Sequence, residues 1–225
     1  TINSTIIVSS SEFTNNHADE FAGTMQVNNY SEARINNSSF DNNTSGSASG
    51  GIQVGTHSVL RISNSKFSTN YADKYAGAVC IIEYSMAILK SSIFVNNTSG
   101  FQSGAIQVDQ NSILSASESE FKNNQAHQMA GAINVVEFST ASIYNSTLVN
   151  NTSGADGGAV VIYTNSTLTV NNCELKNNHA SHFTGAIDVM NYSSVSVNSC
   201  NFLNNTSGLS ASGIRVDGNS MLSIN

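Results

Sequence analysis

A strict internal repeat is the feature that most constrains how this sequence can fold. Equivalent positions recur every 27 residues along the 225-residue chain, with no insertion or deletion. Each coil starts with an aromatic or leucine side chain, at Phe13, Phe40, Phe67, Phe94, Phe121, Leu148, Leu175 and Phe202. Such regularity is typical of a solenoid, in which each unit packs only against its neighbours.

Each coil contains three short runs in which apolar and polar residues alternate, as in Ile52 and Val54 or Leu60 and Ile62. Alternation with a period of two predicts strands, and no segment has the spacing of an amphipathic helix. We therefore predict an all-β fold, a right-handed parallel β-helix of about eight coils with three short strands per coil, which would rise roughly 40 Å. A leucine-rich repeat is the alternative solenoid, but its leucine signature is absent.

The repeat predicts a single domain over residues 1–225, with coils starting at residues 13, 40, 67, 94, 121, 148, 175 and 202. Neither end carries a polar cap of the kind that a solitary solenoid needs. We expect the chain to belong to a longer array, or to stack end to end with copies of itself.

Residues that recur in the turns are expected to form ladders. Stacked Asn side chains can bond to each other and to the backbone of the bend, and Gly supplies a positive φ or a close backbone approach. A Ser at the second corner is expected to stack in the same way. The Asn ladder is predicted at Asn16, Asn43, Asn70, Asn97, Asn124, Asn151, Asn178 and Asn205.

A second period of 54 residues divides the coils into two alternating types. Odd coils, which start at 13, 67, 121 and 175, carry a large residue before the turn Gly and an aromatic before the corner Ser. Even coils, which start at 40, 94, 148 and 202, carry Asn-Thr-Ser-Gly instead. The duplicated unit was therefore a pair of coils, and a feature of one coil type recurs about every 10 Å.

Glycosylation sequons follow this longer period. Asn-x-Ser/Thr marks surface Asn in secreted proteins, although a chain rich in Asn, Ser and Thr also produces it by chance. The first Asn of each Asn-Asn-Thr should point outward if the second is the ladder residue. The predicted acceptors are Asn42, Asn96, Asn150 and Asn204 in this row, with Asn29, Asn191, Asn3, Asn145 and Asn165 elsewhere.

Two paired motifs resemble those of a known family. Phe40-Asp-Asn-Asn43 and Gly157-Gly-Ala-Val160 are similar to the FxxN and GGA[ILV] repeats of the polymorphic outer membrane proteins of chlamydiae. The resemblance implies a pectin-lyase-like β-helix displayed outside a cell, with an adhesin-like role. The perfect regularity and the many sequons depart from that family and are closer in style to the tandem-repeat core of a glycan-coated extracellular fibril.

Composition and motifs argue against several other functions. The net charge is −7 and the eight Lys and Arg residues do not cluster, which argues against nucleic acid as a partner. No stretch is apolar enough to span a bilayer. The carboxylates Glu83, Glu137, Glu118 and Glu120 form no cluster of the kind that glycosidases use, and the Asp19-Glu20 pair stands alone.

His179 and His182, near Asp188, are a weak set of metal ligands, so we interpret them as solvated loop residues. No cofactor and no metal is expected, and we predict that the chain is not an enzyme.

Three cysteines remain. Cys173 and Cys200 share one position in adjacent coils, at a spacing that permits a disulfide in an oxidising compartment; otherwise they are small inward residues. Cys80 is expected to face outward and could pair between chains.

Two roles remain from these arguments. The first is a structural extracellular or cell-surface protein, the core of a fibre, stalk or filament with N-glycans on its outer face. The alternative is a surface adhesin or an autotransporter-like passenger. A carbohydrate-active enzyme is the least favoured.

Overall fold

The computed structural model describes residues 3–225 as a parallel β-solenoid without a helix. Within that range, 33 strands form four parallel sheets, numbered I to IV in the order in which the chain visits them. Adjacent strands within each sheet belong to consecutive coils.

Sheets I and II carry the longer run of each coil. Sheet I contains Thr5–Ser9, Glu32–Asn36, Val59–Ser63, Met86–Lys90, Ile113–Ser117, Thr140–Tyr144, Thr167–Asn171, Ser194–Asn198 and Met221–Ile224. Sheet II contains Glu12–Thr14, Ser39–Asp41, Lys66–Ser68, Ile93–Val95, Glu120–Lys122, Thr147–Val149, Glu174–Lys176 and Asn201–Leu203.

Sheets III and IV follow the Asn corner. Sheet III contains His17–Ala18, Thr44–Ser45, Tyr71–Ala72, Thr98–Ser99, Gln125–Ala126, Thr152–Ser153, His179–Ala180 and Thr206–Ser207. Sheet IV contains Met25–Val27, Ile52–Val54, Val79–Ile81, Ile106–Val108, Ile133–Val135, Val160–Ile162, Ile187–Val189 and Ile214–Val216.

The β-helix architecture predicted from the repeat is confirmed, but each complete coil has four strands rather than three. The additional strand is the two-residue strand of sheet III, which follows the Asn corner. Two residues cannot display an alternating pattern, so this strand has no periodic signal in the sequence.

Pairing is in register at an offset of 27 residues throughout, so that Phe67 lies between Phe40 and Phe94. The inward apolar side chains consequently stack on their equivalents. Adjacent Phe rings from Phe13 to Phe121 lie nearly parallel, with centroids 4.6–5.1 Å apart. Burial of these columns supplies most of the stabilisation of the coil stack.

The Asn that follows sheet II bonds to the coils on both sides. Asn97 Nδ2 donates to Phe67 O and to Asn124 Oδ1, each at 3.0 Å, while Asn97 Oδ1 accepts bonds from Asn70 N and Nδ2. Asn97 is fully buried. Its amide therefore satisfies backbone groups that the bend removes from the sheets.

Left-handed backbone residues produce the corners. One precedes each Asn ladder position, and two consecutive ones, such as Glu83 at φ 55° and Tyr84 at φ 60°, link sheet IV to sheet I. Asn tolerates this conformation better than most residues, which gives a local reason for the abundance of Asn.

The turn Gly before sheet IV is required for close approach rather than for positive φ. A Cβ on Gly104 would collide with the carbonyl oxygen of Gly131 and with the amide of Gln125. Among the described glycines, a left-handed φ occurs at Gly157 and Gly218 only.

Candidate functional site: outer asparagines and the groove on sheet IV

All nine predicted glycan acceptors lie on the surface of the solenoid. Asn42, Asn96, Asn150 and Asn204 form one exposed row at the corner between sheets II and III, in even coils. Asn29, Asn191, Asn3, Asn145 and Asn165 are exposed at other corners and near the first strand.

The ladder asparagines lie directly beside this row but point inward. Asn43, Asn97 and Asn151 are fully buried and Asn205 is 8% exposed, although each formally begins a second sequon. Adjacent asparagines therefore differ in access to a bulky modification, as the inward–outward assignment requires.

The left-handed backbone explains why Asn occurs in this row, but it does not explain the Thr that completes each sequon two residues later. Asn15, Asn123 and Asn177 occupy the same left-handed position in odd coils, yet the residue two places later is His17, Gln125 or His179. In even coils that residue is always Thr. The Thr44 hydroxyl lies 2.8 Å from His17 Nδ1, within hydrogen-bond distance. This hydrogen bond between adjacent coils is a structural reason for some of these threonines.

Two further sequons lie outside the predicted set. Asn36 begins Asn-Asn-Ser and Asn37 begins Asn-Ser-Ser, and both side chains are exposed. The triplets themselves were the signal, but they occur in one coil and so do not appear in the repeat pattern.

A groove lies on the outer face of sheet IV. Phe21 and Tyr75 line one wall, and Ile82 and Asp109 line the other. The outward side chains on the floor are almost inaccessible to solvent: Gln53, Cys80, Gln107, Asn134, Val161 and Asp188 are each at most 6% exposed. Sheet IV is thus covered on both faces.

Side chains of the protein close much of this groove. Gln102 Nε2 lies 3.4 Å from the hydroxyl of Tyr163 on the opposite wall. Farther along, Arg215 makes two 2.8 Å bonds to Asp188 and lies over the ring of Phe183, 4.2 Å from its centroid.

An open cavity of about 180 Å³ lies where Ala48 separates Phe21 from Tyr75. Gln107 lines it, and the buried Nε2 of Gln107 has no hydrogen-bond partner. The cavity is lined by two aromatic side chains, by amide side chains and by Asp109, a combination that suits a small hydroxylated or amide-bearing group.

The structure places the carboxyls of Asp109 and Glu137 near each other, although the two residues do not occupy equivalent positions in the repeat. Burial raises the pKa of the Asp109 carboxyl, and the nearby Glu137 carboxylate raises it further. These residues occupy neighbouring, non-equivalent positions in consecutive coils. Glu83, by contrast, occupies the position equivalent to Glu137 and lies two coils away from it.

Cys80 points outward as expected, but the expectation that it could pair between chains is wrong because the side chain is buried. The side chain leaves the outer face of sheet IV but is 2% exposed beneath the groove. Burial, and to a lesser extent Asp109, raises the pKa of its thiol to about 12. Cys173 and Cys200 lie on adjacent coils as separate thiols.

The candidate metal ligands are engaged separately. Asp188 binds Arg215, His179 Nδ1 lies 2.9 Å from the Thr206 hydroxyl, and His182 is exposed. Across residues 3–225, no group of three or more His, Cys, Asp and Glu side chains is placed to hold a metal ion.

Exposed aromatics mark the corner between sheets IV and I in odd coils. Tyr30, Tyr84, Phe138 and Tyr192 are 48–65% exposed, and each has a left-handed backbone. The ring of His57 stacks between Tyr30 and Tyr84, with centroids 5.0 and 5.1 Å away. A bulky residue in this conformation is strained, which favours a role for the ring beyond the turn itself.

The chain belongs to the right-handed β-helix family, because the model of that family, described as a right handed beta helix region, matches residues 26–224. This family includes pectin-lyase-like enzymes as well as proteins that are not enzymes, so membership assigns a fold and not a reaction. No curated protein and no solved structure matches the chain. The part of the chain that the structure describes has no helix long and apolar enough to cross a membrane.

Proposed function

We propose that this chain is a structural element of an extracellular or cell-surface fibre or stalk, with N-linked glycans on its outer corners. The observation that carries the proposal is the row of Asn42, Asn96, Asn150 and Asn204. These four sequon asparagines are exposed on one edge of a solenoid and recur every second coil, about 10 Å apart.

The regular coil suits a load-bearing rod. Every described coil pairs with the next at the same 27-residue offset, and no coil carries an inserted loop. An identical coil placed on either edge would continue all four sheets. Further repeats or further copies of the chain are therefore the natural end-to-end partners.

A glycan layer would also protect the surface of such a rod. Sugars two coils apart would surround the corner with hydrated bulk and hinder lateral pairing of solenoids. The net charge of −7 over 225 residues supplies modest repulsion, so sugar would contribute most of this protection.

Site-by-site glycopeptide mass spectrometry on native material tests the proposal. Enzymatic release of N-glycans in heavy-oxygen water converts an occupied Asn to labelled Asp. We expect the label on Asn42, Asn96, Asn150 and Asn204. Asn123 is the internal control, because it has the same left-handed backbone position but no sequon. Unlabelled asparagine at every sequon would overturn the glycan proposal.

A matched variant makes the assignment specific. Thr98→Val, secreted from a glycosylating host, should lose the sugar on Asn96 and keep those on Asn42 and Asn150.

Electron microscopy of the native assembly addresses the structural role. Long rods of solenoid width support it, and isolated monomers without assembly contradict it.

Adhesion is the second candidate, and the corner aromatics favour it. Tyr30, Tyr84, Phe138 and Tyr192 present exposed rings about every 10 Å along one edge. Exposed aromatic rows suit contact with a partner surface. If the chain acts as an adhesin, replacing Tyr84 and Phe138 by Ser should abolish its binding to target cells, and an unchanged level of binding would argue against this role.

A further inference from the structure

Cys173 and Cys200 interrupt a serine ladder at the corner between sheets I and II. The other described coils have Ser at this position: Ser11, Ser38, Ser65, Ser92, Ser119 and Ser146. In a typical coil, Ser119 N donates to Ser146 Oγ at 3.0 Å, and Ser119 Oγ donates to Ser117 O at 2.8 Å.

The two cysteines reproduce these contacts with sulfur. Cys173 N lies 3.4 Å from Cys200 Sγ, Cys173 Sγ lies 3.2 Å from Asn171 O, and Cys200 Sγ lies 3.1 Å from Asn198 O. The sulfur of Cys200 therefore lies against the backbone of Cys173. A ladder that needs only small hydrogen-bonding side chains gives no reason for two consecutive cysteines.

The register sets the separation of the pair. Asn171 pairs with Asn198 before the cysteines, and Glu174 pairs with Asn201 after them. Cys173 and Cys200 are therefore one strand spacing apart, about 4.8 Å, inside the Cα range of roughly 4.4–6.8 Å for disulfides. Their Cα–Cβ bonds are parallel. Formation of a disulfide therefore requires rotation of the Cys173 side chain toward Cys200 and a small approach of the two coils.

The two cysteines differ in exposure. Cys173 belongs to the buried core at 3% exposure, whereas Cys200 packs against that core and is partly exposed beside Phe202 and Ile224. Burial raises the pKa of the Cys173 thiol to about 11, so exchange with an oxidant begins at the more exposed Cys200.

We propose that Cys173 and Cys200 form a disulfide that joins two consecutive coils of the solenoid. The Cys200 thiolate attacks a small-molecule disulfide such as oxidised glutathione, forming a mixed disulfide and releasing one thiol. The Cys173 thiolate then displaces the second. The S–S bond of oxidised glutathione breaks as the S–S bond of the protein forms, and the two protons and two electrons lost by the cysteines reside on the two released glutathione thiols.

The bond would close a loop of one complete coil and restrict the unfolded chain. For a loop of this length we expect the Tm of the oxidised protein to exceed that of the reduced protein by about 5–10 °C. The proposed extracellular role would supply the oxidising compartment, but the chemistry in vitro does not depend on it or on glycans.

Thiol counting on the purified chain tests the proposal. After equilibration with oxidised glutathione, alkylation under denaturing conditions should modify Cys80 alone, and peptide mapping should recover residues 173 and 200 as a linked pair lacking two hydrogens. Cys80 is the internal control, because it is buried in another part of the fold. Reduction should restore three reactive thiols and lower the Tm.

The serines of the other coils suggest the matched variants. Cys173→Ser, Cys200→Ser and the double variant keep the ladder and should fold, with no dependence of Tm on oxidised glutathione. Persistence of three thiols in folded, oxidant-treated wild-type protein would overturn the proposal. Intermolecular dimers through Cys200, or a bond to Cys80, would overturn it as well.

Discussion

At the residue scale, asparagine has different roles at adjacent positions of one corner. Asn96 adopts the left-handed conformation that turns the chain, and its side chain is exposed. Asn97 points inward and forms hydrogen bonds to the coils before and after it. Sequon chemistry depends on the first residue, and coil stacking depends on the second.

This division predicts opposite sensitivities for the two residues. Asn97→Ala removes the side-chain bonds to Phe67 O and to the Asn70 backbone and side-chain amides in a buried site, and leaves Asn124 Oδ1 with the backbone amide of residue 97 alone. The free energy of unfolding should fall by about 3 kcal/mol or more, since each stranded buried polar group costs roughly 1–3 kcal/mol. Chemical denaturation of unglycosylated protein measures the change.

Asn96→Gly is the matched control. Glycine adopts φ 57° without strain, so the expected change is within about 0.5 kcal/mol. Equal losses for both variants would show that the buried amide bonds do not stabilise the coil stack.

At the scale of the element, sheet IV differs from the other sheets because side chains cover its outer face. The covering places Asp109 in a half-buried site next to Glu137, without a cationic partner among the contacts described. Burial of a carboxylate without a cationic partner opposes folding. The Asp109 carboxylate therefore lowers the stability of the sheet at the open part of the groove.

The Asp109 carboxyl should therefore make stability depend on pH. Its pKa in the folded chain is raised, first by burial and then by Glu137, so the folded state binds more protons than the unfolded state as pH rises through that window. Its contribution to the unfolding free energy consequently decreases as pH increases.

Asp109→Asn removes this titration. The variant should be more stable than the wild type near neutral pH by up to about 1 kcal/mol, and the difference should shrink at about pH 3. Denaturation series at the two pH values measure it. Asp19→Asn, whose side chain is 98% exposed, is the control and should have little effect at either pH. A loss of stability at neutral pH in the Asp109 variant would contradict the argument.

At the scale of the whole molecule, the alternation of coil types is a packing rule. Large wall residues Tyr75 and Met129 are two coils apart, with Gln102 between them. Glu83 and Glu137 are separated in the same way by Gln110. Alternation thus keeps bulky residues and like charges from becoming direct neighbours.

Deletions of whole coils test this rule. Removal of residues 94–147, one complete pair, preserves the alternation. Removal of 94–120 alone makes Tyr75 adjacent to Met129 and places Glu83 one strand spacing from Glu137. The shorter deletion should therefore have the lower free energy of unfolding, by about 1–2 kcal/mol.

Coil number alone predicts the reverse order, since stability of a solenoid increases with the number of stacked repeats. Circular dichroism should confirm that both variants remain β-rich. If the 27-residue deletion is the more stable variant, the 54-residue period reflects the duplication history and not a packing requirement.

The sequence by itself determined which positions stack on one another, because a constant 27-residue offset places each residue on its counterpart in the next coil. The Phe stack, the register of the strands and the two asparagines of the corner all follow from that offset. Contacts between non-equivalent positions depend instead on the angles at the corners, which periodicity does not encode. The tertiary structure alone therefore decided the two-residue strands of sheet III, the burial of Cys80 and the proximity of Asp109 to Glu137.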